Sequence, residues 1–305
     1  MFPNRGGWHV FRYAAAATVF VAVACGTGLA TSRPLAWHLA AMHADPSRSQ
    51  GRGDGVVVAF VDTGLTATAL PALAGRVLPG VNEAVATNEE DDLNGHGTEM
   101  AVIAAGGGDG GVWGVAPSAE VLPVLVTDAE GHASPAAVAA GIRWASAHGA
   151  AVINISLAAA VASREVVDAI QVAAAAGVLV VVAAGDLGLP GPEFPASAPG
   201  AIAVYGEDES GKIGAHSNVP TAMAVVAPGE QIQSLVPTDS GVRKLLINGT
   251  SAAAALVSGV LAACLSAATH RYTTFESRSS RCEQLLLTRP SGRFLDLNFI
   301  MEAVT

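Results

Sequence analysis

The chain has 305 residues, of which 51% are hydrophobic and 14% charged, with a formal net charge of −10 and a pI near 5.2. Such a composition suits a large buried core and excludes a disordered chain. Its acidic balance argues against nucleic acid as a partner, because phosphate binding needs clustered Lys and Arg. Three cysteines without a CxxC pair argue against a disulfide scaffold or a zinc site.

Residues 1–33 read as an N-terminal signal or anchor segment. Arg5 and Arg12 precede an uncharged run over 13–32, and no acidic residue occurs before Asp45. A basic stretch followed by an apolar one is the layout of an export signal. The run is also just long enough to span a bilayer, which would tether the chain to the membrane. A third reading is lipidation at Cys25, since Ala22-Val23-Ala24-Cys25 resembles a lipobox lacking its usual leading Leu. All three place the remainder outside the cytoplasm, extracellular or at the cell surface.

Residues 34–55 form a connector ending in the turn-rich SRSQGRGDG. At roughly 25 residues it is too short for an independently folding inhibitory unit. A third segment, 56–305, opens with the β-branched run 56–61 (VVVAFV), typical of a strand buried on both faces. An acidic run follows: Glu89, Glu90, Asp91 and Asp92. It reads mainly as a solvated face, with structural calcium as the alternative. Helices are expected over 98–105, 135–148 and 164–175, and strands over 121–126, 151–157, 178–183 and 201–204. The uncharged stretch 246–269 reads as a buried helix, because Asn248, Gly249, Thr250 and Ser251 stand near its start. Strands alternating with helices indicate an α/β fold, a mostly parallel sheet with helices on both faces. Right-handed crossovers then gather the loops after the strands along one edge, where sites form.

Three residues could carry acyl transfer by a serine, which needs a base for the hydroxyl proton and an acid to orient that base. Asp62 ends a buried strand in VAFVDTG. His96 stands in NGHGT, just before a helix, with glycines on both sides. Ser251 stands in NGTSAAAALVSG at the mouth of an Ala-rich helix, where its own N–H and the helix dipole favour a developing oxyanion. Each alone has a plain structural reading: a turn, a histidine beside glycine, a helix cap. Together they stand in the chain order Asp, His, Ser, which is the order of subtilisin among unrelated triads.

On these segments the chain resembles the subtilisin-like serine peptidases, the subtilase family, from about residue 37 onward. Intervening stretches such as GVAPSAEVLPVLV, INISLA, VVVAAGDLG and FPASAPGAIAV also match. Within the family it most resembles the actinobacterial mycosin-like group, on the opening segment AWHLAAMHA and on GTSAAAA, which lacks the Pro usual after the nucleophile. Mycosins proper carry a C-terminal membrane helix, whereas RFLDLNFIMEAVT resembles the closing helix of a catalytic domain.

The resemblance implies a three-layer fold, serine endopeptidase activity on proteins or peptides, no required cofactor, and Asp62, His96 and Ser251 as the triad. It implies that substrate pairs as a strand with Ser156, Leu157 and Ala158, and on its other side with 131–134. Ala158 stands where the family usually has Gly, which would narrow the S1 entrance. Glu193 falls where the S1 floor lies, which predicts a preference for Arg or Lys at P1. The oxyanion hole would comprise Ser251 and Asp186, the latter where the family has an amide-donating Asn. A carboxylate donates only when protonated. Asp186 therefore implies either a protonated acid and mildly acidic working pH, or a weak or silent scaffold protein on the same fold. Cys264 and Cys282 could pair in an oxidising compartment, though spacing alone does not show it. Glu99, in place of a His common in the family, is expected to face solvent or a loop.

Overall fold

The computed structural model describes residues 8–10, 35–66, 71–84, 91–222, 224–238, 241–288 and 295–305. Apart from three residues, the expected export segment lies outside these, as do Glu89 and Glu90.

Strand β1 spans Trp8–Val10 and helix α1 Trp37–Ala41, followed by β2 (Val57–Asp62) and β3 (Val81–Asn82). Next come α2 (His96–Ala105), β4 (Glu120–Leu125), β5 (His132–Ala133) and α3 (Pro135–Ala147). The middle holds β6 (Val152–Ile155), β7 (Leu157–Ala158), α4 (Arg164–Ala175), β8 (Leu179–Ala183) and β9 (Ala201–Glu207). The chain continues through β10 (Val225–Pro228), β11 (Ile232–Thr238), β12 (Gly241–Ile247) and α5 (Thr250–Ala267). Helices α6 (Phe275–Leu287) and α7 (Leu297–Val304) close it.

Seven strands form one parallel sheet in the order β10-β9-β8-β6-β2-β4-β3. Alternation along β2 explains its two-sided burial. Val58 and Phe60 enter one core with α2 and α5, while Ala59 and Val61 enter the other with α3 and α4. These are the three layers expected of the fold. Beyond β2 the chain first builds β3 and β4 on one side, then β6 and the rest on the other. Asp62, the last residue of β2, therefore sits at the switch point where such sheets open a crevice.

Helix α5 is long and apolar enough to cross a membrane, yet 94% of it is buried inside the domain. Its small residues let it lie in the core, where every residue but Ser266 is buried. The expected connector carries α1, and Leu39, Met42 and Ala44 join the core of β2 and α5. Its composition misleads because only a few apolar residues, in α1 and just after it, do the packing. The β11–β12 hairpin, α1 and α6 were not expected; the hairpin's mixed residues, PTDSGVRK, mask its two-residue period.

Candidate active site

Asp62 and His96 are fully buried, at 0% and 1% exposure. Asp62 Oδ1 lies 2.7 Å from His96 Nδ1. A carboxylate only accepts, so Nδ1 carries the proton and Nε2 is left as the basic lone pair. Burial opposes charging the imidazole, but the Asp62 carboxylate overrides it, with smaller help from Glu99 and Asp92, and the His96 pKa is raised. Gly97 makes the approach feasible. A Cβ there would meet Gly64 O at 2.3 Å and Asp62 Cβ at 3.2 Å, so any side chain would push α2 off the end of β2.

Ser251 is the second residue of α5 and 1% exposed. Its Oγ and His96 Nε2 are both buried atoms without a hydrogen-bond partner among the described residues. Both atoms therefore keep their hydrogen-bonding capacity free for another group. The Ser251 N–H falls in the first helical turn, which has no internal acceptor.

Asp186 lies directly against this turn. Its Oδ1 accepts from Thr250 N at 2.8 Å and from Thr250 Oγ1 at 2.7 Å, while Oδ2 is buried and unpartnered. Gly249 allows this contact, since a Cβ there would come within 2.6 Å of Asp186 Oδ2. Burial raises the Asp186 pKa to about 6, against the lowering effect of the Thr250 bonds and of His216 and His96.

The edges expected to pair with substrate also come together. β5 and β7 flank a slot one strand wide, and β1 fills it, pairing antiparallel with both. Asn154 pins this edge to the α5 layer: its Nδ2 donates to Ser156 Oγ and its Oδ1 accepts from Ser258 Oγ, both at 3.1 Å. Glu193 is half-buried. A Cβ on Gly185 would lie 2.1 Å from Glu193 Oε2, so the carboxylate rests beside the residue preceding Asp186. Burial raises its pKa, partly offset by Asn218 Nδ2 at 3.4 Å.

Sequence reasoning missed three supporting residues. Asp92 is no solvated acid: it is 8% exposed and accepts five hydrogen bonds, from Thr63 Oγ1, Asn94 N, Gly95 N, Thr98 N and Thr98 Oγ1. It thereby ties the residue after Asp62 to the start of the His96 helix. An Asp just ahead of a helix start is a capping signal that could have revealed it. Asn218 holds the loop after β8 through Ala184 O, Leu187 N and Leu189 N. Thr250 bridges Asp186 to Gly185 N. Glu99, expected near the surface, is 5% exposed. Among the described residues no cluster of His, Cys, Asp and Glu could hold a metal ion.

A seven-stranded parallel sheet between helical layers, with a buried carboxylate–imidazole pair at its switch point and a serine at the start of a core helix, defines a class of three-layer α/β domains. The comparisons narrow the class. The model of the subtilase family matches residues 53–289. M-protease of Shouchella clausii (strain KSM-K16) is 36% identical over 238 residues, covering 77% of this chain and 60% of that protein. Subtilisin Savinase of Lederbergia lenta is 36% identical over 228 residues, 74% of this chain and 82% of that one. Thermitase of Thermoactinomyces vulgaris is 36% identical over 229 residues, 74% and 77% respectively. The chain belongs to the subtilase family. It spans about 60% of the length of several curated alkaline proteases that it matches.

Proposed function

We propose that this protein is a serine endopeptidase hydrolysing peptide bonds of proteins, with Asp62, His96 and Ser251 as its triad. The observation that carries this reading is the 2.7 Å Asp62–His96 bond, which leaves His96 Nε2 buried, unpartnered and in the basic tautomer, as Ser251 Oγ is left unpartnered. In the reaction, Nε2 takes the Ser251 proton as Oγ attacks the scissile carbonyl. Asp62 holds the tautomer and stabilises the imidazolium, which then protonates the leaving amine. Water repeats the sequence to release the acyl group. The Ser251 N–H and a protonated Asp186 face the developing oxyanion. Residues 131–134 and Ser156, Leu157 and Ala158 align the peptide backbone, and Glu193 favours Arg or Lys at P1.

The domain would run over 56–305, with 34–55 packed upon it. Export to the cell exterior fits the Cys264–Cys282 disulfide, which needs an oxidising compartment. A signal, anchor or lipid-bearing segment over 1–33 would provide the route. No cofactor enters this mechanism, and the partners are protein or peptide substrates.

A fluorophosphonate tests the reading. Covalent labelling of the intact chain, lost in Ser251→Ala, is the expected result; no labelling between about pH 5 and 9 would refute it. A second reading, the weak or silent scaffold, is favoured by one observation: Asp186, expected at the oxyanion hole where the family has an amide, is a buried acid.

A further inference from the structure

Opposite the triad, a cavity of about 360 Å³ opens at the starting edge of the parallel sheet. Its lining runs through Val57, the first residue of β2, and through Ala151 and Val178, which directly precede β6 and β8. Asp62 ends β2, so cavity and triad lie at opposite ends of the same parallel strands. Leu265, near the end of α5, also lines the cavity and stands about 21 Å along that helix from Ser251. A ligand seated here therefore lies outside the catalytic site. Gly55 and Gly149 belong to the same lining, and a Cβ on either would meet nothing within 4 Å, so the mouth is open.

The walls are apolar: Val56, Val178 and Leu265 are buried, and Phe275 of α6 is half-buried beside them. Among the described residues the lining holds two polar side chains, Ser146 and Arg278, and no acid. The Arg278 side chain makes no hydrogen bond or ion pair to any described residue, although its Nε is shut off from solvent. The other half-buried arginines near the sheet are treated differently. Arg48 donates to Asp45 O, Arg52 to Pro46 O and Arg76 to Ala119 O. A guanidinium keeps its charge and carries five N–H donors in a fixed fork. Left without an acceptor at the wall of an apolar cavity, that fork matches a planar anion.

We propose that this cavity binds a small organic monocarboxylate, whose carboxylate pairs bidentately with Arg278 while an apolar tail of roughly seven carbons lies along the walls. The volume falls within the range of small-ligand sites and is too small for a folded partner. One cation among apolar walls selects a single negative charge. A dianion would bring a second charge that nothing in the lining answers. An alcohol of the same length offers the guanidinium only a neutral acceptor, and an amine repels it. The proposal goes beyond the peptidase reading and does not depend on it.

Octanoate is the probe, titrated calorimetrically into the full chain. It should bind at one site with a Kd of about 1 mM or tighter. Octanol and octylammonium should bind at least about tenfold more weakly. Arg278→Gln should weaken octanoate at least about tenfold and bring it level with octanol, and Arg278→Lys, which keeps the charge but loses the fork, should fall between. Ala176→Trp places a bulky ring at an exposed lining position just after α4, and should block octanoate while leaving Arg278 in place. Thermal unfolding without ligand checks that each variant is folded. No binding of octanoate up to about 10 mM overturns the proposal. So does equal binding of octanoate and octanol, or an octanoate affinity that is unchanged in Arg278→Gln or in Ala176→Trp.

Discussion

Replacing Asp186 with Asn isolates the most unusual feature of the site. Asn can keep both bonds that Oδ1 accepts from Thr250, so the turn before Ser251 stays in place. Its Nδ2 takes the position of Oδ2, which is buried and has no partner, and so becomes a donor at every pH. The wild-type residue donates only while protonated, and burial sets its pKa at about 6. At about pH 8 roughly 1% of molecules hold that proton, so Asp186→Asn should raise kcat/KM about 100-fold there, or about 2.7 kcal/mol. That lies at the lower edge of the roughly 10²–10³ that one oxyanion donor contributes elsewhere. At about pH 5 most wild-type molecules are protonated, and the gain should shrink to about twofold or less. The acid limb, set by the raised His96 pKa, should move slightly to lower pH in the variant, because His96 and the Asp186 carboxylate interact and His96 must be neutral to act as base. The assay is kcat/KM for a fluorogenic peptide from about pH 5 to 9. A variant-to-wild-type ratio that is flat across this range would refute the reasoning. Stability gives a second readout. The folded pKa is raised from an ordinary 3.8 to about 6, so ionised Asp186 destabilises the fold. The penalty is absent below the lower value, grows between the two, and reaches about 3 kcal/mol above the upper one. Asp186→Asn should remove it only at the higher pH.

Asp92→Ala should lower kcat about 10–100-fold and stability by about 3 kcal/mol in urea, since five buried donors lose their acceptor. It should also move the acid limb to lower pH, because Asp92 helps raise the His96 pKa. Glu193→Gln should abolish preference for Arg or Lys at P1 in a peptide library with little change for apolar P1; retention of a basic preference would place the determinant elsewhere. Cys264→Ser with Cys282→Ser should cost about 3 kcal/mol in denaturant unfolding, the entropy of opening a loop of this span, and leave kcat unchanged.

The parallel sheet was legible because its strands are continuous β-branched runs between turn signals. VVVAFV and VLVVV can only be buried, and the expected bounds fall within a residue or two of β2 and β8. The Asp62–His96 contact was legible because the chemistry needs both and the fold class fixes where strand ends meet. What stayed hidden is what long-range hydrogen bonding decides. Asp92 looks like one more acid in an acidic run until five donors converge on it. Asn218 and Thr250 are ordinary polar letters whose partners lie at Leu187, Leu189 and Asp186, far along the chain. β1 was hidden for a further reason: three residues ahead of an apolar run carry no periodicity, and only the open edges of β5 and β7 give them a place.

An ionised acid at an oxyanion hole and a strand lying in a substrate cleft would hold activity down through different physics, and this makes their effects separable. If Asp186 faces the oxyanion as proposed, its ionised form acts after substrate binds, so it would lower kcat and do so more as pH rises through about 6. A competing strand acts before substrate binds, so it raises KM rather than lowering kcat. Separate measurement of kcat and KM in Asp186→Asn therefore decides which physics applies. A gain in kcat at about pH 8 belongs to the oxyanion position, whereas a gain confined to KM would mean that the substitution acts on substrate binding instead.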